Sequence, residues 1–341
     1  MIRVLIVDDS SVVRRMCSRI LSEAEGIEVV GTAPDPYVAR DLIVKLKPDV
    51  MTLDVEMPRM DGITFLRKLM KHYPMPVIVV STLTAKGGEV ALEAMSAGAV
   101  DVVCKPSNDN ALTDMATALV DAVRSAWHAR GRLNRPLPVK QVEHVQRTIA
   151  TSPSSLSLIA IGASTGGTAA IESILQAMPP ETPGMVMVQH MPAFFTRSFA
   201  DRLGKMCRVR VREAQDGELV EPGLALLAPG DRQMVVRQSP RGFMVSVLDG
   251  PRVSGHRPSV DVLFRSVARA AGNKALGVIL TGMGADGAQG MVEMRKAGAK
   301  TLGQDEESSV VYGMPKVAFE LGAVERQVPL SLMPHHILAA L

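Results

Sequence analysis

Ser164 ends the apolar run Leu158-Ile159-Ala160-Ile161-Gly162-Ala163 and precedes Thr165-Gly166-Gly167 and a helical pattern. A strand that turns through glycines into a helix presents a serine hydroxyl at the top of a parallel sheet, where it can attack an acyl carbon. A serine hydroxyl is a poor nucleophile near neutral pH. It needs a base within hydrogen-bond reach, and the base needs an orienting group. His190 closes Met185-Val186-Met187-Val188-Gln189, and Asp286 lies just past Val278-Ile279-Leu280-Thr281. If those strands flank the Ser164 strand in parallel, the three side chains meet at one rim. His256, in Ser254-Gly255-His256-Arg257-Pro258-Ser259, is a rival base, the choice an α/β-hydrolase chain order would make. The N–H of Thr165 and a donor from the Gly282–Gly284 loop, Met283, are the candidates for an oxyanion hole at a helix start. The glycine run could instead cradle a phosphate. It lacks both the Gly-Lys-Ser/Thr ending of a P-loop and the spacing of a dinucleotide site.

A second reactive set lies in the first third of the chain. Asp8 and Asp9 follow one apolar run, Asp54 follows another, Ser81 closes a third, and Lys105 follows a fourth. Ligands of parallel sheets bind outside the carboxyl ends of the strands, so these groups are expected in one crevice. Clustered carboxylates repel unless a cation sits among them, and hard oxygen donors suit Mg²⁺ beside a phosphoryl group. Lys105 would neutralise a phosphoryl oxygen and Ser81 would hydrogen-bond one. Each residue alone is unremarkable, and a lone Asp at a strand end reads as a turn former; the set at successive strand ends is the signal.

Both sets demand parallel strands. Strand-like runs at 3–7, 28–32, 50–53, 77–81 and 100–104 alternate with helical periodicity at 12–24, 36–46, 62–72, 89–97 and 109–127. That pattern predicts a doubly wound, five-stranded parallel sheet over residues 1–125. Residues 126–152 are rich in Arg, Pro and Ser without periodicity and read as a linker. Residues 153–341 form a second α/β domain, with strands expected at 156–161, 185–189, 208–211, 224–228, 234–237, 243–248, 276–281 and 300–302. The turn Ser239-Pro240-Arg241-Gly242 predicts an antiparallel hairpin at one edge of this mostly parallel sheet.

Composition narrows the classes. The 341 residues suit about two domains. With one Trp, three Tyr and seven Phe, the core must be aliphatic and built partly from the 21 Met, which favours helices packed on sheets. A net charge of +3 and the lack of a basic recognition helix argue against nucleic acid as a partner. Cys17, Cys104 and Cys207 are odd in number and widely spaced, so they read as free thiols in a reducing compartment. The first strand reaches Asp8 and Asp9 too soon for a signal peptide, and no stretch has transmembrane length. A cytoplasmic protein without membrane insertion is expected.

Residues 1–125 resemble the response-regulator receiver domain. The resemblance implies Asp54 as phosphoacceptor and Mg²⁺ held by Asp9, Asp54 and the backbone carbonyl of Glu56, with Asp8 contributing through water. It also implies Ser81 and Lys105 as readers of the phosphoryl group. Receivers often carry an aromatic switch residue three positions before the lysine; Val102 stands there, which counts against an aromatic-rotation mechanism. The segments Ile161–Gly167, Gln189-His190-Met191 and Leu280–Gly287 resemble the catalytic domain of the chemotaxis protein-glutamate methylesterase family. That implies Ser164 as nucleophile, His190 as general base, Asp286 as its orienting partner and His256 in the substrate cleft, with no cofactor in this domain. The implied reaction is hydrolysis of glutamate γ-methyl esters on methyl-accepting chemoreceptors, releasing methanol, together with deamidation of receptor glutamines. A histidine kinase would be the phosphodonor, and the protein would be recruited to receptor arrays at the membrane. Phosphorylation of Asp54 would relieve inhibition of the Ser164 site. Two other classes compete: a receiver-driven transcription factor, which lacks a helix-turn-helix here, and a phospho-dependent binding protein on an inactive hydrolase fold, which the intact Ser164, His190 and Asp286 oppose.

Overall fold

A computed structural model describes residues 1–57, 60–82, 84–106, 109–131 and 156–341. The chain divides into two compact units, Met1–Arg135 and Pro136–Leu341. In both, the central strands are buried along their whole length and largely apolar because helices cover both faces of a parallel sheet. Val50–Asp54 and Gly184–Gln189, for example, are buried at every position.

The first unit runs β1 (Ile2–Val7), α1 (Ser11–Ser22), β2 (Ile27–Ala33), α2 (Pro36–Leu46), β3 (Val50–Asp54), α3 (Gly62–His72), β4 (Val77–Ser81), α4 (Ala85–Ser96), β5 (Asp101–Cys104) and α5 (Asp109–Ala129). The strands pair in parallel in the order β2-β1-β3-β4-β5. Helix starts follow the capping residues: Asp35 accepts from the N–H groups of Tyr37 and Val38 with Pro36 in the first turn, and Asp61 accepts from Thr64 N–H. α4 begins four residues before the expected start. Thr84 caps it, accepting from Gly87 N–H at 2.9 Å, whereas Gly87-Gly88 blur the helical pattern in the sequence. α5 continues to Ala129, into the segment expected as linker. Residues 132–152 of that linker, with His144, lie outside the described residues.

The second unit runs β6 (Leu158–Ala163), α6 (Gly167–Ala177), β7 (Gly184–Gln189), α7 (Phe195–Met206), β8 (Arg210–Glu213), β9 (Leu224–Leu227), β10 (Gln233–Ser239), β11 (Gly242–Leu248), α8 (Val260–Ala271), β12 (Ala275–Ile279), α9 (Ala288–Lys296), β13 (Lys300–Gln304), α10 (Met314–Glu320), β14 (Arg326–Val328) and α11 (Met333–Ala340). Seven strands pair in parallel in the order β14-β13-β12-β6-β7-β9-β8. The expected antiparallel hairpin is β10–β11, and it forms a two-stranded sheet of its own. It is fastened to α8, where Ser266 Oγ accepts from Val236 N–H at 2.8 Å. The core between hairpin, α8, α9 and the sheet is built from Met234, Val236, Val260, Leu263, Phe264, Val267, Met291 and Met294.

Each sheet reverses its direction of growth once. β1 lies between β2 and β3, and β6 lies between β7 and β12. Crevices open at such switch points, at the carboxyl ends of the strands. Both reactive sets of the sequence sit there.

Candidate active site and acidic pocket

Register brings Ser164 and His190 side by side. β6 and β7 pair with Ala163 opposite Gln189, so the next residues leave neighbouring strands at one level. His190 N–H donates to the Ala163 carbonyl at 3.0 Å. On the other flank Ser164 N–H donates to the Thr281 carbonyl at 3.0 Å, which binds the end of β6 to the loop after β12. That loop carries Asp286 back to His190, where Asp286 Oδ2 lies 2.8 Å from His190 Nε2. The other ring nitrogen, Nδ1, is buried without a hydrogen-bond partner. In the neutral tautomer that donates from Nε2 to Asp286, Nδ1 carries the lone pair.

Asp286 is only 2 % exposed. Burial alone would raise its pKa, but the hydrogen bond and charge of His190, the Asp261 N–H and the Ser259 hydroxyl outweigh it. The carboxyl is held below its ordinary value. His256 does reach the site, where it meets the ring of His190. Its ring stacks on that of His190, with centroids 3.7 Å apart and planes 11° apart. Burial and the charge of His190, with Arg252 adding to them, outweigh the pull of Asp286 and lower the His256 pKa to about 4. Of the two histidines, it is His190 that carries a carboxylate partner.

Of the backbone expected to hold an oxyanion, Thr165 follows Ser164 directly and Met283 follows Gly282, which lies against Ser164. Thr165 is buried, with its carbonyl accepting from Thr281 Oγ1 at 3.0 Å. Gly166 has φ +79°, a left-handed value that glycine adopts without strain, and it opens α6. Met283 is half-buried in the loop on the β12 side, next to Gly282, whose carbonyl accepts from the N–H groups of Gly313 and Met314.

In the first unit Lys105 Nζ stands 2.7 Å from Asp54 Oδ2 and 2.9 Å from Asp8 Oδ2. Carboxylate oxygens of Asp8, Asp9 and Asp54 lie within 4.8 Å of one another. Asp8 Oδ1 accepts from Ser10 N–H at 2.8 Å and Asp54 Oδ1 from Glu56 N–H at 3.1 Å. Burial raises the Asp8 pKa, against the pull of Lys105 and with the Asp54 charge assisting. Lys105 is driven the other way by burial, but its bonds and charge contacts with Asp54 and Asp8 prevail and raise its pKa. Ser81 Oγ is buried with no partner. A cluster of hard oxygens, one ammonium and one unsatisfied hydroxyl fits a divalent cation with a phosphoryl group. The Glu56 side chain is exposed and accepts from Thr82 Oγ1 at 3.2 Å, and Val102 is buried in β5. The cysteines are free; burial pushes Cys17 and Cys104 up to about 12 and Cys207 to about 11, so all three stay thiols at neutral pH.

Comparison with known proteins bears on both sites. The family model described as CheB methylesterase matches residues 159–337, and that of the response regulator receiver domain matches residues 4–117. A protein-glutamate methylesterase/protein-glutamine glutaminase of Anaeromyxobacter dehalogenans is 59% identical over 337 residues, covering 99% of this chain and 94% of the relative. One of the same name from Syntrophus aciditrophicus is 52% identical over 336 residues, 98% of each chain. The chain belongs to the CheB methylesterase family. Its second unit is similar to the Thermotoga maritima CheB methylesterase catalytic domain, at 33% identity and TM-score 0.53, over 55% of this chain and 99% of that one.

In this CheB methylesterase family member, several buried polar residues escaped the sequence reading. Gln189 Nε2 donates to the carbonyls of Ser164 (2.9 Å) and His190 (3.1 Å). Gln304 Oε1 accepts from Thr281 N–H at 2.9 Å. Ser259 Oγ donates to Asp286 at 2.8 Å. Gln189 and Gln304 both end strands, so the rule that found the aspartates would have found them had it been applied to amides. No helix among the described residues is long and apolar enough to cross a membrane.

Proposed function

We propose that this chain is a phosphorylation-regulated serine hydrolase that removes methyl groups from glutamate γ-methyl esters of methyl-accepting chemoreceptors and deamidates receptor glutamines. The observation that carries the reading is the contact of His190 Nε2 with Asp286 Oδ2, which leaves Nδ1 unpartnered beside the strand end that bears Ser164. Ser164 Oγ attacks the ester carbonyl carbon as His190 Nδ1 takes its proton. The oxyanion forms against the N–H groups of Thr165 and Met283. Collapse breaks the bond to the methoxy group, which leaves as methanol with the proton from His190. Water then attacks the acyl-serine, with His190 again as base, and frees glutamate and Ser164. A glutamine side chain follows the same course with ammonia as the leaving group.

The acidic pocket supports a receiver function in which Asp54 accepts a phosphoryl group from a histidine kinase, Lys105 neutralises one of its oxygens and Ser81 donates to another. Asp8, Asp9, Asp54 and the carbonyl of Glu56 would hold Mg²⁺, which offsets phosphoryl charge when bound. This reading places the protein in the cytoplasm at receptor arrays. Its domains are taken as 1–125 and 153–341, with residues 126–152 between them.

The test is methanol release from methylated chemoreceptor. Ser164→Ala is expected to reduce it by at least about 10³-fold, because the nucleophile is gone. Full release by Ser164→Ala would remove this serine from the reaction.

A further inference from the structure

Asp286 is held from behind by the start of α8. Its Oδ1 accepts from Ser259 Oγ at 2.8 Å and from Asp261 N–H at 3.0 Å. Its Oδ2 accepts from Val260 N–H at 2.8 Å and faces His190 Nε2 at 2.8 Å. Three of the four contacts therefore come from consecutive residues at one helix start. Ser259 is the N-cap of α8, where its hydroxyl oxygen accepts from Val262 N–H at 3.4 Å, and its own N–H donates to Gln233 Oε1 at 2.9 Å. It is 0 % exposed. A serine hydroxyl has one hydrogen to give, and here it is given to Asp286.

The tie is returned. Asp261 Oδ1 accepts from Gly290 N–H at 2.6 Å, in the first turn of α9, the helix that begins two residues after Asp286. Between Asp286 and α9 stands Gly287, with φ +91°. A Cβ there would lie 2.5 Å from Val260 Cγ1, so glycine alone lets the two helix starts approach. Each helix start is thus fixed by a carboxylate from the other, and Ser259 closes the arrangement on the side of the reacting groups.

We propose that Ser259 is a positioning residue of the hydrolytic reaction: its hydroxyl fixes the Asp286 carboxylate so that Oδ2 meets His190 Nε2 and aims Nδ1 at Ser164. This rests on the reading of Ser164, His190 and Asp286 given above, and names the side chain that holds the last of them. Donors on a carboxylate also draw on its charge. Asp286 is faced by His190 from the end of β7, by Asp261 from α8 and by His256 from the loop before α8. Arg252 acts in turn on His256, and Arg265 on Asp261. Ser259 is neutral, so its loss leaves those charges in place. It removes one donor that lowers the Asp286 pKa, so the carboxylate takes up a proton at higher pH. The acid limb of kcat/KM should move to higher pH while turnover falls.

The experiment uses the full chain and methanol release from methylated chemoreceptor across pH, with thermal unfolding in parallel. Ser259→Ala is expected to lower kcat about 10- to 100-fold, the loss typical of one hydrogen bond to a charged group, with KM little changed and the acid limb raised. Ser259→Gly removes the same donor but keeps a tolerable N-cap, so it should show the same kinetic change with little loss of stability. Ser266→Ala disturbs the same helix without touching Asp286, since Ser266 bonds Val236 and Leu263. It should lower the unfolding temperature and leave the pH profile where it was. Wild-type kcat and an unmoved acid limb in Ser259→Gly would overturn the proposal. So would losses in both Ser259 variants that follow stability alone, as in Ser266→Ala. If wild type and Ser164→Ala release methanol equally, the underlying hydrolase reading fails instead, and the two failures are told apart.

Discussion

His190 and His256 lie ring on ring, yet their surroundings give them opposite tasks. His190 has the Asp286 carboxylate 2.8 Å from its Nε2. His256 has burial and the neighbouring His190 and Arg252 against it, and its pKa falls from 6.5 to about 4. The consequence is a stability effect with a definite sign. Between pH 6.5 and 4 the unfolded chain binds a proton at His256 that the folded chain refuses, so stability is complete above pH 6.5 and is lost as pH falls toward 4. For this group alone the loss at pH 5 is about 2 kcal/mol. His256→Gln should remove it. Urea unfolding at pH 7.5 and 5.0 should therefore show wild type losing more stability than the variant over that interval. Parallel losses would mean that His256 is protonated as easily folded as unfolded.

Elements set how well each residue could be found in the sequence. Parallel strands place all their carboxyl ends at one rim, so Ser164, His190, Asp54, Ser81 and Lys105 were legible from strand ends alone. β14 was not, because three residues, Arg326–Val328, carry no periodicity to read. The start of α4 was hidden by Gly87-Gly88, and only the Thr84 cap marks it. The donors to Asp286 were hidden for another reason: they come from a helix start more than twenty residues upstream, and two of them are backbone N–H groups. What positions that helix start is the packing of α8, in which Phe264 is fully buried with Leu263 and Val267. Phe264→Ala should cost about 3–5 kcal/mol through the cavity it leaves, whereas Phe264→Leu should cost less than about 2 kcal/mol. Chemical denaturation of the second unit measures both. Activity should fall with Phe264→Ala even where the variant is fully folded, because the start of α8 then holds Asp286 less firmly. A Phe264→Ala variant of normal stability would show that α8 is not anchored by this ring.

At the scale of the whole chain, each reactive set lies at the carboxyl end of a parallel sheet, beside a strand with later strands on both its sides. In the proposed reading the Ser164 site supplies its own nucleophile, base and orienting acid. The Asp54 pocket supplies oxygen ligands, an ammonium and an unsatisfied buried hydroxyl. Such a division predicts that the pocket changes the rate of the reaction without taking part in it. A small phosphodonor with Mg²⁺ should raise methanol release by the full-length protein about tenfold, within the usual range of coupling between sites. Asp54→Asn should lose the increase and keep the basal rate, since the proposed reading gives Asp54 the role of phosphoacceptor alone. Chelation of Mg²⁺ should act on wild type as Asp54→Asn does: the increase disappears and basal release stays, because the proposed reading assigns the metal to the acidic cluster and the hydrolysis to Ser164, His190 and Asp286. The decisive comparison is wild type against Asp54→Asn, each with and without phosphodonor and with and without chelator. An increase that survives Asp54→Asn would place the regulatory phosphoryl group elsewhere. A basal rate abolished by chelation would place a metal in the hydrolytic step and break the division of labour between the two crevices.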